Sequence, residues 1–203
     1  MGLFDSLKSA AGSAIRKEAS KAVTGAVNSA VQSVGKGKNH SESFTFTVLP
    51  QSVAQLQNMP EASLDSPYKT AALVMAVLCH YEQNPTVCFE MLNFLKGPEP
   101  LNGFQQQFIN DRLRGKTYIP RSYFNGATPE NNYQPASPYT IVVSENPYSF
   151  DNENWGVMWV KSGGADSPRQ IKLRKKPSTG QWFLNEIQCL SEIRTPVEAD
   201  PWA

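Results

Sequence analysis

The sequence predicts an α+β domain, a helical block packed on one face of a mainly antiparallel sheet, preceded by a separate amphipathic helix. Three observations lead there. Apolar residues recur every three or four positions from Leu3 to Val34. Two proline-started helical runs open at Ser66-Pro67 and Asn84-Pro85, and a third run follows them. Short segments that alternate apolar and polar residues then succeed one another from Tyr139 to Leu184. Helices and strands grouped in blocks, rather than in strict alternation, indicate α+β.

The first element is an arm over residues 1–34. Leu3, Leu7, Ile15, Val23, Val27 and Val31, with alanines between them, form a helical stripe. Pairs such as Phe4 and Ile15, or Val23 and Val34, stand eleven apart, a spacing that keeps one face aligned. The bulky residues Leu3, Phe4 and Leu7 cluster at the start, and beyond Ile15 the face is Ala and Val. At about 25 cal/mol per Å² of apolar surface, such small side chains give weak, reversible adsorption. Lys8, Arg16, Lys17 and Lys21 add cationic character, so the arm suits an anionic membrane surface or a partner helix. Packing on the domain, self-association and disorder compete with that reading. Met1-Gly2-x-x-x-Ser6 also meets the short N-myristoylation pattern, which matters only where the transferase is present. Residues 35–42, with Gly35, Gly37 and no apolar period, read as a flexible linker.

The domain is expected over 43–203. Ser43 to Val48 alternates, which predicts a strand with Phe44, Phe46 and Val48 inward. Ser52 caps a short helix carrying Val53 and Leu56, ended at Met59-Pro60. The helix begun at Ser66-Pro67 carries the apolar run Ala71 to Cys79 and is expected to be central. The next, from Asn84-Pro85, holds Cys88, Met91, Leu92 and Leu95 and closes at Gly97-Pro98, making a tight hairpin. A third runs from about Leu101 to Arg114 with Phe104, Phe108, Ile109 and Leu113 on its apolar side. Strands are read at 139–143, 156–160, 170–174 and 181–184, joined by turns at Asn146-Pro147, Gly163-Gly164 and 177–180. A cone-shaped, nuclear-transport-factor-like arrangement is the variant of this fold class.

Between the two blocks, residues 116–138 form a long loop rich in Tyr, Asn, Gly and Pro. Long loops in compact domains are often binding surfaces. Tyr118, Tyr123, Phe124, Asn131, Asn132 and Tyr133 are therefore candidate ligand contacts, against the reading in which the tyrosines simply pin the loop to the core.

The 203 residues carry a formal net charge of +1, unevenly placed. Six cations before residue 40 (Lys8, Arg16, Lys17, Lys21, Lys36, Lys38) face only Asp5 and Glu18, leaving +4 there and −3 beyond. A mildly acidic domain argues against a nucleic-acid partner. Three cysteines and no secretory signal pattern fit a reducing cytoplasm. The longest apolar run spans nine residues, against the roughly 20 that cross a bilayer.

Phe94 to Pro98, Ser122-Tyr123-Phe124-Asn125-Gly126-Ala127-Thr128-Pro129-Glu130-Asn131-Asn132-Tyr133, Gly164 to Arg169 and the ending Asp200-Pro201-Trp202-Ala203 resemble a family of uncharacterised bacterial domains. The resemblance covers about 43–203. It implies a bacterial, cytoplasmic protein and transfers no activity and no catalytic residue.

Candidate chemistry is thin. Cys79, His80, Glu82, Cys88 and Glu90 fall within twelve residues, but the cysteines lie on successive helices without a zinc-type repeat, so no metal is expected. Neither His40 nor His80 sits in a motif that would activate a cysteine. No phosphate loop or dinucleotide fingerprint is present, and no cofactor is expected. Arg169, Lys172, Arg174, Lys175 and Lys176 alternate with Ile171 and Leu173 as the solvated face of an outer strand would. The sequence therefore favours a non-enzymatic adaptor, peripherally held on a membrane or partner by its arm. A self-assembling, homo-oligomeric protein and a small hydrolase-like or ligand-processing domain are the alternatives.

Overall fold

The computed structural model describes residues 39–202. The chain divides into two units, Met1–Lys36 and Gly37–Ala203. The arm residues Leu3, Phe4, Leu7, Lys8, Ile15, Arg16, Lys17, Lys21, Val23, Val27 and Val31 lie outside the described residues.

The domain is α+β. Five strands, β1 (Ser41–Phe46), β2 (Tyr139–Ser144), β3 (Trp155–Val160), β4 (Arg169–Lys175) and β5 (Trp182–Gln188), pair antiparallel in the order β1-β2-β3-β4-β5. Register follows the apolar alternation. Phe44 faces Ile141, Met158 faces Ile171, and Leu173 faces Leu184 on the buried side. The other side presents Thr45 opposite Thr140 and Lys172 opposite Glu186. One residue is inserted in β5 opposite Lys172 and Leu173.

Helices α1 (Val53–Gln57), α2 (Pro67–Leu78), α3 (Pro85–Lys96), α4 (Gly103–Leu113) and the single turn α5 (Tyr118–Arg121) supply the second layer. Both proline-led helices start as their sequence demands: the Ser66 hydroxyl accepts from Tyr68 N–H and the Asn84 side-chain oxygen Oδ1 accepts from Val87 N–H. α2 is the centre of the molecule. Every one of its residues except Lys69 is buried, and it touches all five strands. Thr70 ties it to the sheet by donating to the Trp182 carbonyl at 2.8 Å.

Two expectations fail for a reason of packing. β1 ends at Phe46, where its pairing with Tyr139 ends, so Val48 lies in the following turn and is 64% exposed. On α4, Ile109 and Leu113 are buried, but Phe104 and Phe108 are 81% and 36% exposed. The helix docks along one narrow edge, and its two phenylalanines fall outside that edge. The 116–138 segment is also less irregular than its composition suggests, since it contains α5 and a 3-10 turn at Pro129–Asn131.

Candidate functional site

The aromatic loop is built inward. Tyr118 and Tyr133 stack with centroids 5.3 Å apart and an interplanar angle of 13°. Tyr133 donates its hydroxyl to the Arg194 carbonyl at 2.7 Å, and Tyr123 donates to the Cys189 carbonyl at 2.7 Å. Phe124 is buried edge-on against Tyr139. Asn131 accepts from Thr128 and Gln134 N–H groups and donates to the Gly126 and Gln134 carbonyls. Asn132 donates to Glu198. All six candidate loop residues thus have partners within the domain.

Further bonds tie the Ser122–Tyr133 segment to the segment that begins at Gly164. The Ser122 carbonyl accepts from Gly163 N–H at 2.8 Å, and Ser162 donates to Ser122 at 2.7 Å while accepting from Gly164 N–H. The Gly164 carbonyl accepts from Arg194 N–H at 2.9 Å. A methyl group on Gly163 would overlap the Ala127 carbonyl, and one on Gly164 would overlap the Tyr133 hydroxyl. The loop, the β3–β4 turn and the C-terminal tail therefore lock into one junction that only glycine at 163 and 164 can close.

A different surface is left open. Between α4 and the edge strand β5 runs a groove of about 310 Å³, at the small end of the roughly 300–1,000 Å³ range of ligand pockets. The start of α4 is set by a capping box: Asn102 Oδ1 accepts from Gln105 N–H at 2.9 Å and Gln105 Oε1 accepts from Asn102 N–H at 3.1 Å. Tyr81 anchors the back of the helix by donating to Asn110 Oδ1 at 2.7 Å. Phe104 and Phe108, one turn apart, consequently stand along the groove, which Leu184 and Ile187 of β5 also line. Arg112 lies over the Phe108 ring at 5.4 Å.

Lys96, the last residue of α3, lines the same groove and is only 5% exposed. It is brought there by Gly97, whose φ of 62° ends the helix and whose bare Cα lets the Phe183 ring pack against the backbone. The Lys96 ammonium donates to the Asn185 carbonyl at 3.3 Å. Burial holds this amine below the ordinary lysine value, with the charge of Glu99 opposing the shift. Sequence reasoning missed this group, because a lysine in a last helical turn reads as an ordinary complement to the helix dipole.

The cysteines are embedded groups. Burial pushes the Cys79 and Cys189 thiols up to about 12, and Cys88, also raised, donates to the Val77 carbonyl. A thiol so shifted is a poor nucleophile near neutrality. Cys79 and His80 border a smaller hollow of about 230 Å³ beside Val48 and Tyr139. Among the described residues no three His, Cys, Asp or Glu side chains stand together as a metal site. The basic strand is largely partnered: Lys172 with Glu186 at 2.9 Å, Arg169 with Glu192 at 3.2 Å, and Arg174 with Glu99 at 3.5 Å and over Trp155.

A family model described as "Domain of unknown function (DUF6935)" matches residues 48–197. The chain belongs to the DUF6935 family. Most of the junction, all of the groove and every helix and strand except β1 lie within the DUF6935 match. No curated protein and no solved structure matches the chain. Among the described residues no helix is long and apolar enough to cross a membrane.

Proposed function

We propose that this DUF6935 protein is a non-enzymatic adaptor: its arm attaches reversibly to a membrane surface or partner helix, and its domain offers the α4–β5 groove to a second ligand. The observation that carries the reading is the exposure of Phe104 and Phe108 beside a groove floored by buried apolar residues. Large exposed aromatics clustered at a concavity mark interaction sites, whereas scattered ones do not. The groove suits the ligand role better than the 116–138 loop, whose aromatic side chains are engaged internally. For the arm, the support is the stripe through Leu3, Leu7, Ile15, Val23, Val27 and Val31 with Lys8, Arg16, Lys17 and Lys21 beside it. A cytoplasmic, membrane-peripheral location belongs to the same proposal.

The test is co-sedimentation of the full chain with anionic and neutral vesicles at low and physiological salt. It is compared with a full chain carrying Leu3→Ser, Phe4→Ser and Leu7→Ser. Binding to anionic vesicles that weakens with salt and is lost in the triple variant supports the adaptor reading. Indifference to vesicles overturns the membrane half. A size that rises with protein concentration and falls in the triple variant would instead support self-assembly through the arm.

A further inference from the structure

We propose that the α4–β5 groove binds a small apolar monocarboxylate, with the carboxylate against Lys96 and the hydrocarbon body along Phe104 and Phe108. The inference rests on the groove being the ligand site proposed above and adds the chemical class of the ligand.

The first observation is an unbalanced charge. Lys96 is 5% exposed and has three N–H donors, yet its one acceptor among the described residues is the Asn185 carbonyl at 3.3 Å. Buried cations are ordinarily paired. Two carboxylates share cavity walls with Lys96 and are engaged elsewhere: Glu186, which also borders the groove, holds Lys172 at 2.9 Å and accepts from Gln188 at 2.6 Å, while Glu99 pairs with Arg174 at 3.5 Å. No carboxylate of the described residues lies within 4 Å of the Lys96 ammonium. An anion arriving in the groove would supply the missing partner.

The second observation concerns the polar rim. Asn102 and Gln105 both border the groove, and the capping box uses their side-chain oxygens to accept backbone N–H groups. Their amide NH₂ groups are therefore the atoms left over, and these are donors. A rim of donors beside an unpaired ammonium favours a negative ligand head over a positive or neutral one. The third observation is size and lining. About 310 Å³ bounded by Phe104, Phe108, Leu184 and Ile187 accommodates a single ring or a medium-length chain, not an extended polar molecule.

The experiment is calorimetric titration of the full chain with octanoate, octanol and octylamine, repeated on Lys96→Met and on Phe104→Ser. A charge-assisted hydrogen bond in a partly buried site corresponds to about tenfold or more in affinity. Octanoate should therefore bind at least about tenfold more tightly than octanol, and octylamine more weakly than either. Lys96→Met should bind acid and alcohol equally. Phe104→Ser should weaken both. Thermal melting of Lys96→Met checks its fold, and the acid-to-alcohol ratio of the unaltered chain decides the matter without any variant. Equal binding of octanoate and octanol overturns the carboxylate assignment and leaves the groove as a ligand site. Failure of all three to bind overturns both, while the vesicle experiment judges the arm separately.

Discussion

Tyr133 shows how a residue with the look of a ligand contact becomes part of the frame. Its ring is fully buried against Tyr118 and its hydroxyl reaches the tail at Arg194. Burial, with a smaller contribution from Tyr118 and opposed by Arg194, pushes its phenol up to about 12. Tyr123 is raised too, mainly by burial, and Tyr68 is raised by burial and by donating to Glu145 at 2.5 Å. Unfolded tyrosines lose their protons near pH ~10. Below that pH both states are protonated and these groups add no pH dependence. Above it the unfolded chain ionises first, so stability falls as pH rises through the folded values. The expected outcome is a stability plateau below pH ~10 followed by alkaline unfolding, with tyrosinate absorbance rising together with loss of helix signal. A smooth tyrosinate titration centred near the ordinary value, in a chain that keeps its helix signal, would contradict the buried geometry.

At the scale of an element, α2 carries the domain because its whole circumference is covered. A helix with polar residues on one side packs one way, whereas eleven of the twelve residues of α2 are buried between the strands and the neighbouring helices. Leu73 has no exposed surface, so Leu73→Ala leaves a cavity that strands on one side and helices on the other cannot collapse together to fill. The loss expected is about 2–5 kcal/mol, read as a lower urea midpoint with an unchanged slope. α4 is the opposite case. Its apolar period includes Phe104, Phe108, Ile109 and Leu113, but only the last two reach the core. Periodicity identifies which residues share a face; it does not say how much of that face a neighbour covers.

For the whole molecule, the contrast between the closed junction and the open groove carries the functional argument. The junction joins the loop, the β3–β4 turn and the tail through backbone bonds and glycine contacts, so its motif residues hold shape. The groove leaves aromatic area exposed and one buried ammonium with a backbone carbonyl but no carboxylate as its partner among the described residues. Phe104→Ser should therefore leave stability within about 0.5 kcal/mol of the unaltered chain, as surface changes do, while abolishing enhancement of an apolar fluorescent dye such as anilinonaphthalene sulfonate. A large fall in melting temperature would place Phe104 in the core instead.

Caps, prolines and alternation were enough to read the α+β class, the five strands, the proline-led hairpin and the central helix, because those signals act within a few residues of chain. The arm's stripe is a pattern of the sequence alone and lies outside the described residues. What the chain could not reveal by itself was which apolar residues lack a neighbour. Phe104 reads in sequence as a core-facing helix residue and Tyr133 as a ligand contact, and the two end in opposite places because Gly164 and Arg194, distant along the chain, close over Tyr133 while Phe104 stays 81% exposed. Lys96 changes from an ordinary helix-end cation to a buried one for the same reason, since β5, nearly ninety residues on, folds across it. Local physics determined the elements; burial and electrostatic environment are sums over neighbours brought from elsewhere in the chain, and only the tertiary structure decided them.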